Sequence, residues 1–166
     1  MAVELIIATF ENDENKAEEL LKRIKELEKQ KALKVVDIAA ITRPKEGEVR
    51  VMDIGDVTPK RGAVFGAITG GLLGLMVGPV GAVVGAVAGA ATGRTSAKLI
   101  DYGVSNRLIK DIENSLKPGS SAVIAYVEMK WIDRAIVRLQ ELGAEVIHDT
   151  LESELVDPLL ESKKRS

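Results

Sequence analysis

Apolar residues recur along this chain in two patterns, one typical of buried strands and the other of amphipathic helices. Short runs rich in β-branched residues predict strands, and these runs fall at residues 3–10, 35–42, 49–54, 121–128 and 144–149. Apolar residues spaced three or four apart predict helices, and these stretches fall at residues 13–30, 104–116 and 131–142. Asn12 or Asp13 is placed to cap the first helix, and Gly143 is placed to end the last one.

The order of these elements predicts an α+β fold. The first part of the order, β-α-β-β-α-β, is that of the split βαβ or ferredoxin-like fold, and the remaining helix and strand form an extra C-terminal α-β unit. The turn between the second and third strands is short, so we expect these two strands to be antiparallel. The sequence therefore predicts a ferredoxin-like domain made of residues 1–61 and 98–166, into which residues 62–97 are inserted.

The inserted segment contains a stretch, residues 62–93, that has no charged residue and carries glycine at every fourth position in two series. The first series is Gly62, Gly66, Gly70, Gly74 and Gly78, and the second is Gly81, Gly85, Gly89 and Gly93. Four residues make just over one helical turn, so each series predicts a groove without side chains along a helix. Because Pro79 suits the start of a second helix, we predict a glycine-zipper helical hairpin of Gly62–Val77 and Pro79–Thr95.

The glycine content raises the question of which environment stabilises such a hairpin. Each interior glycine costs a helix about 1 kcal/mol relative to alanine, so about five of them weaken one helix by about 5 kcal/mol. A lipid bilayer enforces helical structure and favours close packing of small residues. The alternative is a tightly packed helical pair inside a soluble oligomer. Helices of about 16 residues span about 24 Å, less than the roughly 30 Å of a hydrocarbon core.

Basic residues flank the hairpin on both sides, and they are Lys60, Arg61, Arg94 and Lys98. This placement fits a hairpin whose two ends lie on the cytosolic side of a membrane. The alternative is that these residues only keep an apolar insertion soluble. We therefore expect the protein at the cytoplasmic face of the membrane, with a cytoplasmic location as the alternative.

Several short motifs carry a family resemblance. The lead "DVTP" at residues 56–59, the glycine hairpin and the strand entry "LKPGSSA" at residues 116–122 occur in this order. With these motifs the chain resembles the family known as domain of unknown function 1269, whose members are described as predicted membrane proteins. The resemblance implies the hairpin architecture and a link to membranes, and it implies no activity.

Composition excludes several kinds of function. The chain has no cysteine and one histidine, which excludes disulfides, thiolate catalysis and a multi-His metal site within one chain. A net charge of -2 argues against nucleic acid as a partner. We predict no cofactor and no metal.

Few residues of the sequence suggest a catalytic or ligand-binding site. Gly89–Ser96 lacks the spacing of a phosphate-binding loop. Carboxylates before the hairpin could act on protons or Mg²⁺, but turn formation explains them better; they are Glu46, Glu48, Asp53 and Asp56. His148 is expected at the surface beside Asp149, and Trp131 is expected in the core or at an interface. The sequence therefore does not predict an enzyme.

The sequence favours a non-catalytic protein, membrane-associated or self-assembling, whose glycine-zipper hairpins pack into a homo-oligomer. Two alternatives stay open: a soluble homo-oligomer with the hairpins as its shared core, and a small-ligand sensor with the hairpin as its anchor. The expected partners are further copies of the chain and a lipid membrane. We also expect the domain to stay folded when a short linker replaces Gly62–Gly93.

Overall fold

The structure, a computed structural model, describes residues 3–31, 35–53, 68–76, 83–84, 100 and 104–151, and these residues form a sheet with helices on both faces. The strands are β1 (Val3–Phe10), β2 (Asp37–Arg43), β3 (Val49–Asp53), β4 (Val83–Val84), β5 (Ser120–Glu128) and β6 (Glu145–Leu151). The helices are α1 (Lys16–Lys29), α2 (residues 68–76), α3 (Asn106–Ile112) and α4 (Ile132–Glu141). The α+β class is confirmed.

Local signals in the sequence predict some of these element ends correctly. The N-cap of α1 is Asn15, which makes no side-chain cap hydrogen bond, so the prediction of Asn12 or Asp13 as the cap is wrong; Asp13 instead accepts hydrogen bonds from the backbone N–H groups of Asn15 and Lys16 at 3.1 and 3.0 Å. Gly143 has a φ of +89° and follows the end of α4 as a left-handed residue, as glycine permits. The pairing of β2 with β3 is antiparallel. The predictions for Gly143 and for the antiparallel pairing of β2 with β3 are confirmed.

The strand order in the sheet is β4-β3-β2-β5-β1-β6. β1 and β2 both pair antiparallel with β5, so β5 lies between them. In the predicted ferredoxin-like order, the strand at residues 49–54 would lie between β1 and β2. That assignment is wrong, because β3 lies on the far side of β2.

Burial explains why β5 takes the central place. All nine residues of β5 are buried, and its apolar side chains enter the hydrophobic clusters on both faces of the sheet. β3 alternates instead, since Val49 and Val51 are buried whereas Arg50 and Met52 are exposed. A strand between two helical layers needs apolar residues on both faces. β5 meets this condition and β3 does not.

Each face of the sheet has its own helical layer. α1 and α4 cover one face, where Ala17 and Leu21 of α1 meet side chains such as Ile6 and Val123. α2 and α3 cover the other face, where Leu72 and Ile112 meet residues of the same sheet from the opposite side. The helices predicted at 13–30 and 104–116 therefore lie on opposite faces.

The predicted second helix of the hairpin is not formed where the structure describes it. Val83 and Val84 form strand β4, which pairs parallel with Val49 and Arg50 of β3. Valine favours strands, and the outer edge of β3 offers backbone groups that need partners. The prediction of a helix over Pro79–Thr95 is wrong at these two residues. The remainder of that range lies outside the described residues, and the division of the chain into a domain and an insertion stays a prediction.

Candidate functional site

Helix α2 and strand β4 are the described parts of the glycine-rich segment, and the large side chains of α2 pack onto the sheet. Ile68, Leu72, Leu73 and Met76 are at most 1% exposed and belong to the hydrophobic cluster that includes Ile124 of β5. Their spacing of one, three and four residues places them on one side of a helix. This part of the segment therefore contributes to the core beside the sheet.

Hydrogen bonds also fix α2 to the rest of the described structure. The Thr69 hydroxyl lies 3.0 Å from the Tyr126 hydroxyl, and both groups are buried. Near the end of the helix, the Leu75 carbonyl accepts from the N–H of Asn114 at 2.9 Å, and the Met76 carbonyl accepts from Leu116 at 3.2 Å. Carbonyls at a helix end lack partners within the helix. The segment after α3 supplies partners here.

The side of α2 that points away from the sheet consists of glycine. Gly70, Gly71 and Gly74 are related by three- and four-residue spacings and lie opposite the core side chains. We call these three residues the glycine face. Gly70 and Gly71 are buried and Gly74 is half-buried within the single chain, so other residues of the same chain lie close to the backbone of α2 on this side. Large side chains would prevent such contact.

The structure describes only Gly70 and Gly74 among the nine glycines of the two predicted series, and both belong to the glycine face. The other proposed packing residues and the flanking basic residues lie outside the described residues; they are Gly62, Gly66, Gly78, Gly81, Gly85, Gly89, Gly93, Lys60, Arg61, Arg94 and Lys98.

The candidate acid–base residues are not brought together in the described part of the chain. Glu46 and Glu48 are exposed in the loop before β3, and Asp56 lies outside the described ranges. Within the described residues, no three His, Asp or Glu side chains converge as a metal site.

His148 belongs to a small polar cluster that the sequence does not reveal. Its Nδ1 atom lies 3.3 Å from Oε2 of Glu4, whose side chain is 6% exposed, and the Thr150 hydroxyl donates to the other oxygen of Glu4. The pairing of β1 with β6 places these residues together. The sequence gives no signal for this contact, because Glu4 and His148 lie far apart along the chain and only the pairing of their strands brings them together.

Trp131 lies at the start of α4 and is half-buried. Its indole N–H is buried and has no hydrogen-bond partner among the described residues, while the Lys130 ammonium lies 5.7 Å from the ring centroid. Among the helices that the structure describes, none is both long enough and apolar enough to cross a lipid bilayer.

Comparison with protein families gives one match. The family model described as "Protein of unknown function (DUF1269)" matches residues 63–162, which is more than half of the chain. Comparisons with curated proteins and with solved structures give no match. The family match includes the glycine-rich segment and the strands β5 and β6.

Proposed function

This chain belongs to the DUF1269 family of proteins of unknown function, and we propose that it is a non-catalytic protein that assembles with further copies of itself through the glycine-rich segment. Gly74, the half-buried residue of the glycine face of α2, is one part of the contact surface. In the sequence, glycines at the same spacing precede and follow α2, and on a helix this spacing leaves a groove without side chains. Grooves of this kind let helix backbones approach closely.

The orientation of α2 is the observation that carries this proposal. The helix directs its apolar side chains to the sheet and its glycines away from it. Glycines on the outer side of a helix weaken it by about 1 kcal/mol each relative to alanine. A close contact on that side offsets this cost, since it is available only where side chains are absent. The chain itself already covers Gly70 and Gly71, and assembly would supply such a contact at the half-buried Gly74.

We further propose that the assembling unit has a ferredoxin-like body, with a different set of elements from the one the sequence suggests. In chain order this set is β1, α1, β2, β5, α4 and β6, and its sheet order is β2-β5-β1-β6. The placement of β5 between β1 and β2, and of α1 and α4 on one face, supports it. β3 to α3 is then an insertion that covers the other face.

The packing of α2 favours protein over lipid as the environment of the first part of the glycine-rich segment. Ile68, Leu72 and Met76 are fully buried against the protein's own sheet. Of the alternatives that the sequence leaves open, this supports the soluble homo-oligomer with a shared protein core. Membrane association and ligand sensing stay predictions.

Substitution of Gly74 tests the assembly directly. Gly74→Leu is expected to lower the mass of the assembly in light scattering, because a leucine side chain holds the two surfaces apart. The substitution does not weaken α2 itself, since leucine is a better helix former than glycine by about 1 kcal/mol. Gly74→Ala is the matched control, because it gains a similar helix propensity and adds only one methyl group.

The mass of the assembly is expected to be largest for the parent, smaller for Gly74→Ala and smallest for Gly74→Leu. Circular dichroism is expected to show the same helix content in all three proteins. An equal mass for the three proteins, or a monomeric parent, would exclude the glycine face as an assembly surface.

Fractionation separates the protein environment from the lipid one. The expressed protein is expected to leave the membrane pellet in an alkaline carbonate wash and to keep its assembled mass afterwards. Retention in the washed pellet would contradict the soluble assembly and support the membrane alternative for the segment beyond Met76.

A further inference from the structure

The Glu4 carboxylate is a buried group whose hydrogen bonds come from β6. It lies on the face of β1 that also carries Ile6 and Ala8, between the sheet and the helices α1 and α4. The Thr150 hydroxyl donates to one of its oxygens, and Nδ1 of His148 lies 3.3 Å from the other. A carboxylate removed from water is costly unless hydrogen bonds or an opposite charge compensate it. Two side chains of β6 therefore supply the compensation that Glu4 requires.

His148 can gain a charge without losing this contact. A neutral imidazole carries its proton on one ring nitrogen, and Nδ1 is the nitrogen that donates to Glu4 in this geometry. The other nitrogen, Nε2, then accepts a second proton, and the side chain is 50% exposed to the solvent that supplies it. A hydrogen bond between two charged groups is roughly twice as strong as a neutral one.

The other charged groups around His148 lie at the surface or have partners of their own. Those of α4, the helix above this part of the sheet, are all exposed; they are Asp133, Arg134, Arg138 and Glu141. Lys130 pairs with Glu128 at 3.3 Å. The neighbouring Asp149 accepts hydrogen bonds from the N–H groups of Ser105 and Thr150. Of the acidic groups that the structure describes, Glu4 is the one in ion-pair contact with the imidazole.

We propose that His148 and Glu4 form a pH-sensitive contact that holds the edge strand β6 on β1 more firmly in mildly acidic solution. Among the described strands, β6 pairs with β1 alone, and α4 above it has no buried residue. A side-chain contact between β1 and β6 therefore matters for the attachment of this strand. Histidine side chains ordinarily change charge near pH 6.5, so the contact is a neutral hydrogen bond at pH 8 and an ion pair at pH 5.5.

The direction of the effect on stability follows from the partner of the charged ring. Folding places the imidazolium beside a carboxylate, and the unfolded chain lacks this neighbour. The stabilisation is therefore present in acidic solution and is lost as the pH rises and His148 releases its proton. Glutamate side chains ordinarily take up protons near pH 4.3, and pH 5.5 lies above that range.

His148→Gln tests the contact, because glutamine offers a neutral donor and does not become charged. Urea unfolding at pH 8 and at pH 5.5 gives the folding equilibrium constant of the parent and of the variant. We expect the loss caused by His148→Gln to be about two- to fivefold greater at pH 5.5 than at pH 8, as for a partly exposed ion pair. The chain has one histidine, so no other imidazole contributes to the difference.

Thr150→Val is the matched control on the same strand. It removes the neutral hydrogen bond to the other oxygen of Glu4, so its effect on the folding equilibrium constant is expected to be equal at the two pH values. In a Glu4→Gln background the effect of His148→Gln is also expected to be equal at both, because the carboxylate is absent.

Hydrogen exchange shows whether the effect is confined to the edge strand. At pH 5.5 the amides of β6 that bond to β1 are expected to exchange faster in His148→Gln than in the parent, and those of the β2–β5 pair to change less. An effect of His148→Gln that is equal at pH 8 and pH 5.5, or larger at pH 8, overturns the proposal. If Glu4→Gln does not fold, the parent, His148→Gln and Thr150→Val decide the question by themselves.

Discussion

Replacement of Gly62–Gly93 by a short Gly/Ser linker is expected to abolish cooperative folding. The replacement removes α2, whose four largest core side chains are at most 1% exposed. Burying a side chain of this size contributes about 1.5–3 kcal/mol, so together the four contribute about 6–12 kcal/mol. The net stability of a domain is about 5–15 kcal/mol. The sequence alone predicts a folded product, and the packing of α2 reverses that expectation.

Thermal unfolding followed by circular dichroism measures this result, and two leucines of α2 provide a graded control. Leu72 is fully buried whereas Leu75 is only partly buried. Leu72→Ala is expected to lower the free energy of unfolding by about 2–5 kcal/mol, and Leu75→Ala by clearly less. A linker variant that melts cooperatively at the parent's temperature would show that the remaining strands and helices fold independently of α2.

The second large effect is a loss of stability at alkaline pH that depends on Tyr126. Burial raises the pKa of Tyr126 well above its ordinary value of 10.0, with a further contribution from the nearby Asp37 carboxylate, while the hydrogen bond with Thr69 acts in the opposite direction. The phenol is therefore neutral in the folded protein at pH values where it ionises in the unfolded chain. This contribution to stability is complete below pH 10 and is lost as the pH rises beyond it.

Urea unfolding at pH 8 and pH 11 checks this expectation. Each pH unit between the pKa of Tyr126 in the unfolded chain and its pKa in the folded protein lowers the free energy of unfolding by about 1.4 kcal/mol. Tyr126→Phe has no phenol to ionise, so its free energy of unfolding is expected to decline less between pH 8 and pH 11. At pH 8 the free energy of unfolding of Tyr126→Phe is expected to be about 1–3 kcal/mol lower than that of the parent, because the buried Thr69 hydroxyl loses its hydrogen bond with Tyr126. The double variant Tyr126→Phe/Thr69→Val is expected to recover part of that cost.

Other titrating groups are common to the parent and to Tyr126→Phe, so the difference between the two proteins isolates the phenol. An identical decline from pH 8 to pH 11 in both proteins would contradict the neutral, buried state of Tyr126.

The candidate site could be predicted only in part. The period of the glycines indicates a groove, and Gly70 and Gly74 do lie together on one side of a helix. The larger residues of the same segment also carry a signal, because Ile68, Leu72 and Met76 are spaced four apart on the other side. A stripe of leucine and methionine fits packing on a sheet and contact with lipid equally well, so it does not distinguish the two environments. The tertiary contacts decide between the two for α2.

The sequence by itself determined the elements whose patterns are local. β1 and the apolar stripe of α1 follow from patterns of neighbouring side chains, and these patterns do not depend on distant parts of the chain. Only the tertiary structure decided that β5 lies between β1 and β2, and that Glu4 meets His148. Strand partners far apart in sequence are selected by burial on both faces of the sheet, which depends on which helices cover each face.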